Sequence, residues 1–302
     1  MSSAATTTSS YVGRFAPSPT GPLHFGSLVA ALAGFLDARH QSGRWLLRIE
    51  DLDPPREQAG SIELIIRSLE THGLHWDGAI LYQSRRLSDY AHTLNLLHEQ
   101  GLIFPCYCTR KALAAKPGPY PGTCRHATLS NKPHALRLLT EPTNSDLRVC
   151  YSFEDIFFGQ VTSHEQLGDF IVRRKDGLFA YQLAVVVDDV FQGISHVIRG
   201  ADLIDSTPPQ RYLFACLDAP VPQFGHLPLA LNAQGQKLSK QHGAKAIDDK
   251  QARDNIIAAL GFLNHTIPVE LQQANIEEIL QWAIAHWDRR SIPTDNKTVA
   301  ES

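Results

Sequence analysis

The sequence predicts an α/β protein built on an open parallel sheet. Two observations carry that expectation. Across the first hundred residues, short apolar runs alternate with segments whose apolar positions recur at helical spacing, the rhythm of β-α-β units. The rhythm then breaks at Pro105 and resumes near residue 171, which predicts one α/β domain in two halves, 11–104 and 171–245, around an insertion at 105–170.

The elements follow in order. Tyr11 to Phe15 is a short strand, followed by a proline- and glycine-rich loop. Leu28, Leu32, Phe35 and Leu36 then mark a helix that ends near Gly43. WLLRI (45–49) is a buried-type strand. Ile62, Ile65, Ile66 and Leu69 mark a second helix, Leu87 to Gln100 a third, and LIF (102–104) a strand. The run FIVRRKDGLFAYQLAVVVDDV (170–190) predicts a hairpin turning at Asp176-Gly177. HVIRG (196–200) is a strand, Pro208 to Leu217 a helix, and LPLALN (227–232) leads into a turn. Residues 246–302 carry helical spacing at Ile256, Leu260, Leu271, Ile276, Leu280 and Ile284, then turn polar after about 290. The Ser/Thr-rich stretch 1–10 is expected to be a disordered leader.

Composition narrows the class. With 302 residues, 43% hydrophobic and 20% charged, the chain can bury a sizeable core and is neither fibrous nor disordered. Its net charge of -3 provides no global field for nucleic acid, so such a partner needs local basic patches. Arg173, Arg174, Lys175, Lys245 and Lys250 are candidates, though a solvated basic face explains each one alone. No apolar run approaches the roughly 18 residues of a membrane span, so no membrane partner is expected. Three of the five cysteines fall within 19 residues, which favours a metal site in a reducing compartment and a cytoplasmic location.

Two segments carry chemistry. In RFAPSPTGPLHFGS (14–27), Gly21 and Gly26 let backbone approach a ligand while Pro17, Pro19 and Pro22 stiffen the loop. The helix that follows offers unpaired N–H groups and a positive dipole end, where a phosphate fits, and His24 can donate a hydrogen bond there. Alone, this is also how an ordinary strand–helix turn reads. Downstream, Lys237-Leu238-Ser239-Lys240 places two lysines where they can neutralise charge on a leaving pyrophosphate. Arg14, Arg199 and Glu50 are charged residues at or beside predicted strand ends, where guanidinium groups suit carboxylate ligands. Arg199 could instead pair with Asp188, Asp189 or Asp202, and Tyr181 could be core.

PSPTGPLHFGS resembles the HIGH element of class I aminoacyl-tRNA synthetases of the glutamyl/glutaminyl branch, and KLSKQ resembles the KMSKS element. LLRIEDLDPPR (46–56) and HVIRGADLIDSTPPQ (196–210) resemble the same branch. The last His of HIGH is Ser27 here, and the last Ser of KMSKS is Gln241. The resemblance implies a Rossmann-type parallel sheet with an inserted, zinc-bearing acceptor-type subdomain. It also implies roles for the residues. Arg14, Phe15, Ala16, Pro17, Ser18, Glu50, Tyr181 and Arg199 bind glutamate. Gly21, His24, Gly26, Ser27 and Lys240 bind ATP with magnesium, and His24, Lys237 and Lys240 are catalytic.

The cysteines Cys106, Cys108 and Cys124 provide three thiolates of a tetrahedral site, with His126 or Tyr120 as fourth ligand. The resemblance favours Tyr120 and a structural zinc. Cys150 and Cys216 read as core. Only 62 residues follow Lys240. Within the branch, the chain therefore resembles the truncated paralogues that lack an anticodon-binding domain, the glutamyl-queuosine tRNA(Asp) synthetases. They take L-glutamate, ATP and a tRNA(Asp) carrying queuosine. A compact glutamyl-tRNA synthetase, or a non-catalytic binding module of this fold, are the competing readings.

Overall fold

The computed structural model describes residues 11–115, 118–140, 152–162, 168–232, 235 and 245–298. β1 (Val12–Phe15) is followed by helix α1 (Phe25–His40) and then β2 (Arg44–Ile49), parallel to β1 with Val12 against Arg44. A parallel pair needs a crossover, and α1 provides it. α2 (Ser61–Thr71) leads to β3 (Leu81–Tyr82), parallel to β2. α3 (Leu87–Glu99) precedes β4 (Ile103–Cys106), and the short α4 (Arg110–Ala114) follows it.

The segment expected as a single insertion divides between two sheets. β5 (Ala135–Leu138) pairs antiparallel with β4. β6 (Ser152–Asp155) and β7 (Gly159–Thr162) form a hairpin, and β8 (Phe170–Arg173) returns to pair with β5. α5 (Tyr181–Gln192), β9 (His196–Gly200), α6 (Thr207–Cys216) and β10 (Gln223–Leu227) follow. β10 is parallel to β9 and, on its other side, to β6. The N–H of Ser195 donates to the carbonyl of Val12 at 2.9 Å, which sets β9 beside β1. The strands therefore run β3-β2-β1 and then β9-β10-β6-β7, with the hairpin of the insertion as an antiparallel edge.

The expected hairpin at 170–190 is corrected. Its first arm is β8, and the turn is present, with Gly177 at φ 91. Phe179, however, makes only an isolated bridge to Arg173, and Tyr181 begins a helix. The run Leu183 to Asp189 is buried throughout, packed against α3, α6 and β8. Three consecutive valines suggest a strand by propensity, but the tertiary slot takes a helix.

β11 (Ala230–Leu231) precedes α7 (Ala252–Phe262) and α8 (Ile276–Ala285), and β12 (Lys297–Thr298) pairs parallel with β11. α1 lies at the centre of the main core. Leu28, Leu32, Leu36, Trp45, Leu47, Leu260, Ile279 and Leu280 all belong to it. A second core gathers α3, α5 and α6 with Phe153 and Phe224. Among the described residues, the cysteine-bearing segment has Phe104, Cys106 and Cys124 as the buried members of its own small cluster.

Candidate active site

A cavity of about 550 Å³ opens where β1, β2 and β9 end, at the N-terminus of α1. In open α/β sheets this is where ligands bind. Its wall brings together Arg14, Phe15, Ala16, Pro17, Ser18, His24, Gly26, Ser27, Glu50, Tyr181 and Arg199. Gly21 is buried behind the wall at φ 134, a conformation that disfavours any side chain. Lys237 and Lys240 lie outside the described residues, as does Gln241.

The loop of 16–24 is tied down by its backbone. The N–H of Glu50 donates to Pro17 O at 3.0 Å, and that of Gln58 to Pro19 O at 3.0 Å. His24 is the N-cap of α1: its Nδ1 accepts the N–H of Ser27 at 3.2 Å. A neutral His24 accepting at Nδ1 carries its proton on Nε2, so it is a donor at the mouth of the helix. The remaining N–H groups of the first turn and the helix dipole favour an anion beside it. Ile247 N–H donates to Leu23 O at 3.0 Å and Ala246 bridges His24, so the chain downstream of KLSK returns against this loop.

Charge in the cavity is organised from below by α5. Asp189, 3% exposed, accepts from Arg14 Nε at 3.3 Å and pairs with Arg48 Nη1 at 2.7 Å. Burial pushes its carboxyl up, but Arg48 and Arg14 hold it below the usual carboxylate range. Arg48 also donates to Gln192 Oε1 at 2.8 Å and lies 3.6 Å from Glu50 Oε1. Burial pushes Glu50 up to about 7, against the pull of Arg48 and Arg14. Glu50 is thus an acid poised to ionise when a cation arrives.

Arg199 does not take the acidic partners suggested by sequence. Its three nitrogens donate to His226, Gln210 and Thr207. Tyr181, 38% exposed, is a cavity-wall residue with its hydroxyl beside Arg199, and it does not join the core. Sequence reasoning missed Arg48, Asp189, His226, Thr207 and Gln210. Arg48 does lie in the quoted segment LLRIEDLDPPR, Thr207 and Gln210 lie in HVIRGADLIDSTPPQ, and Asp189 was weighed only as a partner of Arg199, so those segments carried the available signal.

The family described as class I tRNA synthetases (E and Q), catalytic domain, matches residues 11–284. The glutamyl-Q tRNA(Asp) synthetase of Serratia proteamaculans (strain 568) is 50% identical over 285 residues, spanning 94% of this chain and 92% of that protein. That of Ectopseudomonas mendocina (strain ymp) is 48% identical over 294 residues, 97% of this chain and 98% of that one. The chain belongs to the glutamyl-Q tRNA(Asp) synthetases, within the class I E and Q family. The fold of this synthetase matches the glutamate-tRNA synthetase of Elizabethkingia anophelis with a TM-score of 0.78 at 23% identity. The match covers 96% of this chain and 68% of that longer one.

The synthetase carries a second cluster in the segment after β4. The sulfurs of Cys106, Cys108 and Cys124 lie within 4.8 Å of one another, with Cys108 and Cys124 3.7 Å apart. A tetrahedral zinc with bonds of about 2.3 Å holds its sulfurs about 3.8 Å apart, so the spacing fits. The Tyr120 hydroxyl sits 3.4 Å from Cys106 Sγ and 3.6 Å from Cys108 Sγ, while His126 is exposed. The Arg137 guanidinium lies 4.0 Å above the Tyr120 ring, a cation suited to a phenolate ligand. Cys216 is half-buried beside the second core, and Cys150 lies outside the described residues.

Among the basic candidates, Arg174 is engaged by Asp53 and Asp176, and Arg173 donates to Gly177 O. Lys175, Lys245 and Lys250 are exposed. No helix among the described residues is long and apolar enough to cross a membrane.

Proposed function

We infer that the protein activates L-glutamate with ATP and transfers the glutamyl group to queuosine in the anticodon loop of tRNA(Asp). One observation carries this reading. Two arginines and one carboxylate converge on a helix N-terminus, in a chain half identical to glutamyl-Q tRNA(Asp) synthetases.

The chemistry runs in two transfers. Arg14 takes the side-chain carboxylate of glutamate, Arg199 completes the pocket, and Glu50 holds the ammonium. The α-carboxylate oxygen attacks the α-phosphorus of ATP, and pyrophosphate leaves. His24 Nε2–H and the first N–H groups of α1 stabilise the phosphates where charge develops, and Lys237 and Lys240 neutralise the leaving group. A queuosine hydroxyl then attacks the acyl carbon. An ester forms, AMP departs, and the hydroxyl proton is released with it. Cys106, Cys108, Tyr120 and Cys124 hold one structural zinc, which staples a segment with little core. On this reading the reaction runs in the cytoplasm.

The test is transfer of labelled glutamate, with ATP and magnesium, onto tRNA from cells that make queuosine and from cells that cannot. Label only on the first pool is expected. Equal label on both would mean charging of the tRNA 3′ end, and label on neither a binding module. Lys240→Ala should reduce glutamate-dependent ATP–pyrophosphate exchange steeply while glutamate binding survives.

A further inference from the structure

The two cavity arginines are anchored differently. Arg14 rests on a carboxylate. Arg199, 5% exposed, rests on neutral acceptors: Nε donates to His226 Nε2 at 3.1 Å, Nη1 to Gln210 Oε1 at 2.7 Å and Nη2 to Thr207 Oγ1 at 2.8 Å. Behind it, His226 is fully buried, and its Nδ1 lies 2.6 Å from Asp155 Oδ2. Asp155 is itself immobilised. Its Oδ1 accepts the N–H groups of Phe157 at 2.9 Å and Phe158 at 3.0 Å, and both oxygens face the N–H of His226.

Only one state of the ring satisfies every contact. With the proton on Nδ1, the ring donates to the carboxylate, and Nε2 keeps a lone pair for Arg199 and for the Thr207 hydroxyl at 3.3 Å. The other tautomer sets N–H against N–H at Arg199 and a lone pair against the carboxylate. A protonated ring sets two cations 3.1 Å apart. Burial holds His226 below the usual imidazole range, and Arg199 adds to this against the opposing pull of Asp155.

We propose that Asp155 and His226 are a positioning relay for Arg199: the carboxylate fixes the tautomer of the imidazole, and the imidazole fixes the guanidinium that receives a glutamate carboxylate. The relay rests on the reading of Arg199 as a glutamate ligand. Its chemical logic is that a carboxylate in direct contact would compete with the substrate for Arg199. A neutral acceptor orients the guanidinium and leaves its charge for the ligand, with Asp155 one ring further away.

The experiment is ATP–pyrophosphate exchange on Asp155→Asn, His226→Gln, His226→Phe and Arg199→Ala, with KM measured separately for glutamate and ATP. In Asp155→Asn, the amide oxygen keeps the Phe157 and Phe158 N–H groups, and the amide N–H faces Nδ1. The ring must then accept there and present Nε2–H to Arg199. The KM for glutamate should rise about tenfold or more, the scale of a lost hydrogen bond to a charged group, with the KM for ATP unchanged. His226→Phe should do the same. His226→Gln, whose carbonyl can replace Nε2 as acceptor, should recover most of the loss. Nitrogen-15 NMR of the wild-type ring should show a proton on Nδ1 and none on Nε2, and in Asp155→Asn the reverse. A wild-type ring protonated at Nε2 overturns the relay, and so does an unchanged glutamate KM in Asp155→Asn and His226→Phe alongside a raised one in Arg199→Ala. An unchanged glutamate KM in Arg199→Ala overturns instead the placement of glutamate on Arg199. Should the variants fail to fold, the wild-type spectrum alone decides the tautomer.

Discussion

Glu50 sets how substrate binding depends on pH. Burial raises its pKa to about 7, and Arg48 and Arg14 only partly offset that. An ammonium is held by the ionised form. As pH falls through 7, the empty site takes up a proton and glutamate must displace it. The apparent KM for glutamate should therefore be about tenfold higher at pH 6 than at pH 8, with the KM for ATP nearly flat. Glu50→Gln should raise the KM at all pH values and abolish the slope, and a slope that survives in that variant would reject Glu50 as the titrating group. At this scale the sequence was legible where function is contiguous. Arg14 to Ser27 form one stretch, and their types announce an anion site. The residues that hold them were not legible. Arg14 and Asp189 lie 175 positions apart, and His226 and Asp155 lie 71 apart. Such pairs exist only once the sheet brings β1, β9, β10 and the end of β6 together, and a lone Asp or His carries no mark of a distant partner.

At the scale of elements, the N-terminus of α1 joins folding and chemistry in one side chain. His24 caps the helix through Nδ1 and lines the cavity. Substitution can separate the two roles. His24→Asn keeps a short acceptor for the Ser27 N–H but loses the reach of Nε2, so it should melt near the wild type and exchange pyrophosphate slowly. His24→Ala should lose both, with a stability cost of about 1 kcal/mol for the cap. Equal rates for His24→Asn and wild type would leave His24 as a cap only. The cysteine-bearing segment makes the complementary case, since among the described residues its own cluster has three buried members, a small core. Cys108→Ser should release the metal, measured by atomic absorption. Hydrogen exchange should accelerate across 106–127 and remain slow in α1. Helix α5 shows why elements resist reading. Its valines favour a strand locally, yet it must bury Leu183 to Val187 on several sides and direct Asp188 and Asp189 at Arg86, Arg14 and Arg48. Packing against three neighbours decides between the two.

For the whole molecule, the decisive feature is that the C-terminal helices are not an appendage. Ile256, Leu260, Phe262, Leu263, Ile279 and Leu280 share one core with α1 and β2, and Phe262 also borders the cavity. The closure is locked at Asp37 on α1, which is fully buried. Its carboxylate accepts from Tyr11 at 2.6 Å, from Trp287 Nε1 at 2.9 Å and from Arg289 at 2.7 and 2.9 Å. Tyr11 directly precedes β1, three residues before Arg14, so the lock joins the end of the described chain to the strand that carries the site. Asp37→Asn keeps the shape but leaves the half-buried Arg289 without its counter-charge, which costs about 2 kcal/mol, the scale of a lost hydrogen bond to a charged group. For a domain of this size the melting temperature should fall by roughly 3–5 °C. The glutamate KM below the transition should stay close to wild type, because β1 remains fixed by its backbone pairing with β2. A chain ending at residue 250 makes a harsher demand. It keeps the wall from Arg14 to Arg199 but strips the outer face of α1, whose Leu28, Leu32 and Leu36 are fully buried in the whole protein. Exposed on that scale, an apolar helix face aggregates or fails to fold. The truncated chain should be recovered insoluble, or expanded by small-angle scattering with no glutamate binding. A compact, glutamate-binding fragment would show that the catalytic half folds by itself and that the Asp37 lock is dispensable.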